Sequence, residues 1–338
     1  CITKSNKVME KTAFLGIDVS KETVDTMIYH GRIHGKFVNG KPGFEKIKKW
    51  LSDQAIRKED LLICFEHTGL YGLPLQMFCE DEGFDYTIVS GLQVKRSLGI
   101  QRGKNDKVDS YRLAEYAYIK RDTIKPTRLV SRLLIRLKYL LNYRSRLVRS
   151  RAGFKASAPE YKTYMKLSKE DVIINTHLQT IDHFTKCILK VDKEIKELLK
   201  KDEQIKHQYQ MATSVKGIGM VTAGFMIVYT NCFTDFTKWR KFASYVGSAP
   251  FDHSSGTSFK GKTRISNYAN KHIKSILTNA VLAAIRSDPE IKRYYQRRIT
   301  EGKNRKVVIN NIRNKLISRV FAAVKRGTPF VSIANYAA

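Results

Sequence analysis

Residues 13–38, AFLGIDVSKETVDTMIYHGRIHGKFV, decide the fold. Ala13 to Ile17 reads as a buried strand that ends at Asp18. Val24 to His30 and Ile33 to Val38 read as two more strands, joined by a short turn at Gly31. Working outward, Gly43 to Ser52 places Phe44, Ile47, Trp50 and Leu51 at helical spacing. Leu61 to Phe65 is an apolar strand ending at Glu66. Leu73 to Cys79 reads as a helix, Tyr86 to Val89 as a strand, and Asp106 to Ile119 as a helix carrying Val108, Tyr111, Leu113 and Tyr116. The resulting order is β-β-β-α-β-α-β-α.

Three antiparallel strands followed by crossover units are the order of a ribonuclease-H-like domain, expected over residues 12–122. The fold class is therefore α/β plus α, because the rest of the chain reads as mostly helical. From Thr123 to Pro159 there is no acidic residue, while Arg128, Arg132, Arg136, Arg144, Arg146, Arg149 and Arg151 recur. Val130, Leu133, Leu137, Leu140 and Leu147 interleave with them. An apolar side that packs and an arginine side that faces phosphate is the expectation, since solvated faces normally mix signs. Gly153 to Pro159 is read as an interruption. Beyond it Ile174, Leu178, Ile181, Phe184, Ile188, Val191, Ile195 and Leu198 step by three or four, as in a coiled-coil seam of about three heptads. An antiparallel hairpin and a dimerisation arm both fit, and residues 123–210 form this basic helical region.

The third region is expected over residues 211–330. Ser214 to Gly219 leads into the apolar helix Val221 to Tyr229, a helix-hairpin-helix-like pattern in which Gly217 and Gly219, beside Lys216, let backbone N–H groups approach a phosphate. A turn that merely connects two helices explains it equally well. Phe233 to Val246 reads as a helix, and Gly247 to Asn267 as a polar loop with Ser254, Ser255, Lys260, Lys262 and Arg264. Two helices close the chain. The last, Asn304 to Lys325, places Ile309, Ile312, Leu316, Val320 and Val324 on one side, with Arg305, Lys306, Arg313 and Arg319 largely elsewhere.

Composition narrows the function. The 338 residues include 62 Lys plus Arg against 31 Asp plus Glu, a formal net charge of +31. A small soluble domain usually carries a net charge of about 2–8 in magnitude. The excess points to a polyanion, nucleic acid before anionic membrane. An apolar share of 42% excludes a disordered basic tail. No apolar run is long enough to span a bilayer, and Cys1 to Lys11 lack the apolar core of a signal peptide. Cys1, Cys64, Cys79, Cys187 and Cys232 are scattered without C-x-x-C spacing, which argues against zinc and for a reducing cytoplasm.

Four acids stand out by position. Asp18 and Glu66 end strands that are neighbours in such a sheet. Asp106 and Asp109, three apart, share one helical face. The four are expected to converge on Mg²⁺, with Mn²⁺ as an alternative, as carboxylates suit hard cations. Taken singly, Asp18 and Glu66 are explained as caps of the segments that follow them, and Asp106 as the cap of its helix. Asp25, Asp53, Asp60 and Glu115 fit solvated faces.

Six stretches together carry a resemblance. Gly16-Ile17-Asp18-Val19-Ser20-Lys21, Glu66-His67-Thr68-Gly69-Leu70-Tyr71 and Lys104-Asn105-Asp106-Lys107-Val108-Asp109 resemble the N-terminal motifs of the insertion-sequence-110 transposase family. Ser214 to Ala223, Tyr245-Val246-Gly247-Ser248-Ala249-Pro250 and Ser254-Ser255-Gly256 resemble its C-terminal domain. The resemblance implies a RuvC-like ribonuclease-H fold with an Asp-Glu-Asp-Asp metal site at Asp18, Glu66, Asp106 and Asp109. It also implies a serine nucleophile, mapped to Ser255 with Ser254 as its neighbour, which forms a phosphoserine link to DNA at a composite site. Donor and target DNA, a structured noncoding bridge RNA, a homodimer or homotetramer, and a cytoplasmic, nucleoid-associated location are implied by the same resemblance. His67 departs from the Ser usual there. Asn267, Ala269 and Lys274 stand where the family usually has Lys, Gly and Arg. The competing readings are a RuvC-like Holliday-junction nuclease, a DNA invertase without guide RNA, and a nonenzymatic nucleic-acid-binding protein.

Overall fold

A computed structural model describes residues 11–99, 105–127, 131–255, 259–265 and 268–331. The chain divides between residues 129 and 130 into two compact units.

The first unit is built on β1 (Ala13–Val19), β2 (Thr23–Ile28), β3 (Ile33–Val38), β4 (Leu61–Glu66) and β5 (Asp85–Val89). The sheet order is β3-β2-β1-β4-β5. β1, β2 and β3 are antiparallel neighbours, whereas β4 runs parallel to β1 and β5 parallel to β4. Both faces of the central strands are covered, which is why they read as nearly continuous apolar runs. Leu15, Ile17 and Val19 share one core with Phe44, Ile47 and Leu51 of α1 (Lys41–Asp53) and with Leu75 of α2 (Leu73–Glu82). Strand alternation turns Phe14, Leu62 and Cys64 to the other face. There they pack with Val94 of α3 (Gly91–Leu98) and with Leu113 and Ala117 of α4 (Asp106–Ile119). Asp18 and Glu66 belong to this second alternating set.

α4 lies directly on β1 because Gly16 has no side chain. A Cβ there would stand 2.0 Å from the Ser110 carbonyl oxygen and 2.4 Å from the Ala114 nitrogen. Sequence periodicity does not reveal α3, although Ser90 and Gln93 form a reciprocal capping box at its start.

The second unit opens with α5 (Arg132–Tyr164) and α6 (Val172–Lys201). Arg136 bonds Glu194, Arg144 bonds Asp192, Arg151 bonds Thr185, and Ser157 bonds His177. Partner numbers fall as residue numbers rise, so the two helices form an antiparallel hairpin. The interruption expected at Gly153 to Pro159 is absent; α5 runs through it. Pro159 removes one backbone bond, yet Phe154, Ser157 and Tyr161 on both sides of it contact His177 of α6. The chain instead turns at 165–171, where Lys166 takes a φ of 53° and Asp171 caps α6.

α7 (Glu203–Thr213), α8 (Met220–Tyr229) and α9 (Trp239–Val246) come next. α9 is shorter than expected. Asn231, Cys232 and Phe233 adopt φ of 48°, 55° and 60°, so no helix runs through them. The expected polar loop contains an antiparallel ribbon, β6 (Pro250–Ser255) and β7 (Phe259–Ile265). Three helices, not two, close the described chain: α10 (Lys271–Ser287), α11 (Pro289–Thr300) and α12 (Arg305–Arg326). Asp288 ends the first and caps the second, ahead of Pro289 at its first turn. Arg313 and Arg319, expected to lie away from the apolar side of α12, are 5% and 8% exposed. One core joins Leu137 and Leu141 of α5 to Phe225, Phe242, Leu277 and Leu316, so the hairpin and the C-terminal helices pack as one unit.

Candidate active site

Asp18 is the penultimate residue of β1 and stands opposite Asp25 on β2. Glu66 is the last residue of β4. Asp106 and Asp109 occupy the first turn of α4, which Asn105 caps through the Val108 N–H. The carboxylates share one electrostatic neighbourhood. Burial, then Asp109, Asp106, Asp25 and Glu66, push the Asp18 carboxyl up to about 6. Asp25, read from sequence as part of a solvated face, is 4% exposed and is held by His34 at 3.0 Å and Lys36 at 3.3 Å. Its signal was its setting between Val24 and Thr26 in a strand whose residues after Thr23 are all buried.

The convergence expected of the four acids is incomplete. Among the described residues, no group of three or more His, Cys, Asp or Glu side chains is close enough to hold a metal ion. Asp109 is drawn to Arg112 at 2.9 Å, and Glu66 accepts the Gly91 N–H at 3.1 Å. Like-charge repulsion around Asp18 favours these alternatives. Gly91 begins α3, so the Glu66 carboxylate sits at a positive helix end. A Cβ at Gly91 would lie 2.5 Å from Glu66 Oε1. The donor chemistry fits a hard cation, and the raised Asp18 carboxyl marks an excess of negative charge that such a cation relieves.

Ser255 ends β6 opposite Phe259, and Ser254 stands opposite Lys260. Lys262 and Arg264 lie further along β7. The helix-hairpin-helix-like turn joins α7 to α8. Gly217 takes a φ of 92°, but it packs on α10; a Cβ there would meet Ala284 Cβ at 2.6 Å and the Ala280 carbonyl oxygen at 2.7 Å. Lys216 and Gly219 are exposed, and Gly219 is the N-cap of α8, with open space where its Cβ would be.

The expected arginine face is mixed. Arg136 and Arg144 are engaged by acids of α6 that the reading of 123–159 alone could not supply. Arg146 is exposed, Arg132 heads α5, and Arg128 lies outside the described residues.

An α/β unit that gathers carboxylates on one sheet face, in a chain of net charge +31, is the build of a nucleic-acid-processing enzyme. Comparison with known proteins gives the class: residues 15–158 match a DEDD-type IS110 transposase profile, and residues 209–296 match the transposase IS116/IS110/IS902 family. The chain belongs to the IS110 family of transposases and is a DNA recombinase or transposase. It is 26% identical over 328 residues to the pilin gene-inverting protein of Moraxella bovis, covering 95% of this chain and 98% of that one. The pilin gene-inverting protein of Moraxella lacunata matches to the same extent. An insertion element IS110 protein of Streptomyces coelicolor is 32% identical over 120 residues, 36% of this chain and 29% of that protein. No described helix is long and apolar enough to cross a membrane.

Proposed function

We propose that this transposase cuts and rejoins donor and target DNA with a serine nucleophile, using a metal-holding carboxylate site on a RuvC-like sheet. One observation carries the reading: Asp106, Asp109 and Glu66 all bear on the raised carboxyl of Asp18. Asp18, Glu66, Asp106 and Asp109 would hold the cation, Mg²⁺ or Mn²⁺, which neutralises charge on the phosphodiester oxygens when bound. Asp18 and Glu66, fixed at neighbouring strand ends, set the position of that charge. Asp109, which pairs with Arg112 at 2.9 Å, would turn its carboxylate from that guanidinium to hold the cation. The hydroxyl oxygen of Ser255 displaces a deoxyribose oxygen from phosphorus, leaving a phosphoserine link and a free sugar hydroxyl. Reversal with a different sugar hydroxyl rejoins the strand.

A guide of structured noncoding RNA accounts for basic surface beyond what the cut itself needs, with pairing reading sequence and protein reading backbone. The runner-up is DNA inversion without a guide, favoured by the 95% coverage of the match to the Moraxella bovis protein. A gel trap tests the chemistry: denatured reactions on labelled donor DNA should show a protein–DNA adduct with wild type and none with Ser255→Ala. Adduct formed by Ser255→Ala but not by Ser254→Ala moves the nucleophile by one residue, and free cut ends without adduct in wild type overturn the serine mechanism. Sequencing the RNA that co-purifies from cells carrying the native flanking DNA separates the two readings. A discrete RNA from those flanks supports guidance, and bulk RNA alone supports the invertase.

A further inference from the structure

Two buried arginines lie six residues apart on α12 and are treated differently. Arg319 is met by Asp288 at 3.0 Å and Glu290 at 2.6 Å, and its guanidinium lies over the Phe330 ring. Arg313 is more deeply buried and meets no acid among the described residues. Its Nη1 donates to Asn310 Oδ1 and its Nη2 to Thr278 Oγ1 at 2.9 Å, both neutral, and its Nε has no partner. The nearby charge is of the same sign. Lys274, half-buried in the first turns of α10, is pushed down by burial and by Arg313. Burial likewise pushes Arg313 down. No carboxylate among the described residues pairs with either. A buried charge left uncompensated destabilises the fold, so this pair holds the fold at a disadvantage that an anion removes.

The surroundings say which anion. Asn310 and Asn314 both donate to the Ser248 carbonyl oxygen, at 2.8 and 3.1 Å. Ser248 is two residues ahead of β6. On the other side, Asn270 caps α10 through the Ile273 N–H and donates to the Tyr245 hydroxyl at 2.9 Å. Both roots of the serine ribbon are therefore fastened to the helices that carry Lys274 and Arg313.

We propose that Arg313 and Lys274 form a binding site for one backbone phosphate of the DNA strand on which the serine ribbon acts. Lys274, on the more open side, meets the strand first; Arg313 receives the phosphate behind it. The site rests on the DNA-acting reading of this unit and does not require the serine or the metal.

The test uses the full chain and Lys274→Met, which relieves the repulsion and keeps the stem volume. In phosphate-free buffer Lys274→Met should melt at or above wild type. Its affinity for a duplex DNA oligonucleotide should fall roughly tenfold, the worth of one charge-assisted contact. The slope of log Kobs against log salt should shrink by about one. Inorganic phosphate should raise the melting temperature of wild type and not of the variant. Arg313→Lys should retain part of both effects. Exposed Lys201→Gln, on α6, should leave the phosphate effect unchanged. Unaltered DNA affinity and slope in Lys274→Met, equal phosphate stabilisation of both proteins, or a loss confined to an RNA duplex would overturn the site. Failure of the serine mechanism shows instead as missing adduct with this binding pattern intact.

Discussion

Asp18→Asn should make the metal-free protein more stable at neutral pH while abolishing strand cleavage. The carboxyl titrates near 3.8 in an unfolded chain and at about 6 in the fold, because it is buried among Asp109, Asp106, Asp25 and Glu66. At about 1.4 kcal/mol per tenfold change, reduced for solvent screening of a half-buried group, ionised Asp18 costs the metal-free fold roughly 2 kcal/mol above pH 6. A raised folded pKa means that stability is fully present below about 3.8 and is lost as pH rises through about 6. Asn has no such titration. The assay is urea unfolding in chelator, followed by Trp50 fluorescence in a Trp239→Phe background, so that only the first unit reports. Trp50 suits this because it packs on Phe37 of β3. At pH 7.5 the variant should exceed its parent by about 2 kcal/mol, and the gap should close by pH 4. Added Mg²⁺ should then stabilise the parent alone. A variant no more stable than its parent at pH 7.5, or a gap independent of pH, would refute the claim that these carboxylates share one field.

Three further outcomes are expected. Gly91→Ala places a methyl 2.5 Å from Glu66 Oε1; DNA cleavage should drop about 100-fold while urea stability changes by less than about 1 kcal/mol, and an unaffected rate would remove α3 from the site. Arg146→Ala should lower the salt slope of nucleic-acid binding by about one, whereas Arg136→Ala, whose guanidinium Glu194 already holds, should lower it far less; equal slopes would erase the distinction between them. Pro159→Ala restores a backbone bond inside α5 and should raise the thermal stability of the second unit by about 1–3 kcal/mol, with a lower melting temperature showing that the ring is needed where it is.

The first unit was legible in sequence because its signals are local and period-specific. An apolar five-residue strand ending in an acid occurs twice, at Asp18 and Glu66, and the crossover order makes those strands neighbours. What stayed hidden was pairwise. Gly16 reads as one more small residue in a strand, and only the approach of α4 shows that nothing larger fits. Asp25 reads as surface because a lone acid in a strand usually is. Here both faces of the sheet are covered, and His34 and Lys36 reach it from β3. The α3 helix was announced by Ser90 and Gln93 at capping-box spacing, but its eight residues are too few for periodicity to speak.

In the second unit, sequence and structure part where helix breakers and charges meet partners distant in the chain. Pro159 breaks an isolated helix, yet His177 lies against Phe154, Ser157 and Tyr161 and spans the weak point. Arg136 and Arg144 look free in an acid-free stretch, yet Glu194 and Asp192 wait fifty or so residues on. Arg313 is the converse case. It falls on the apolar stripe with Ile309, Leu316 and Val320, where a charge demands an explanation that a solvated face does not. Arg319 found its explanation in Asp288 and Glu290. Since no described acid meets Arg313, and Lys274 adds a second charge beside it, the pair is a place where an anion from outside the chain would be held. In a DNA transposase the anion available in quantity is the backbone phosphate.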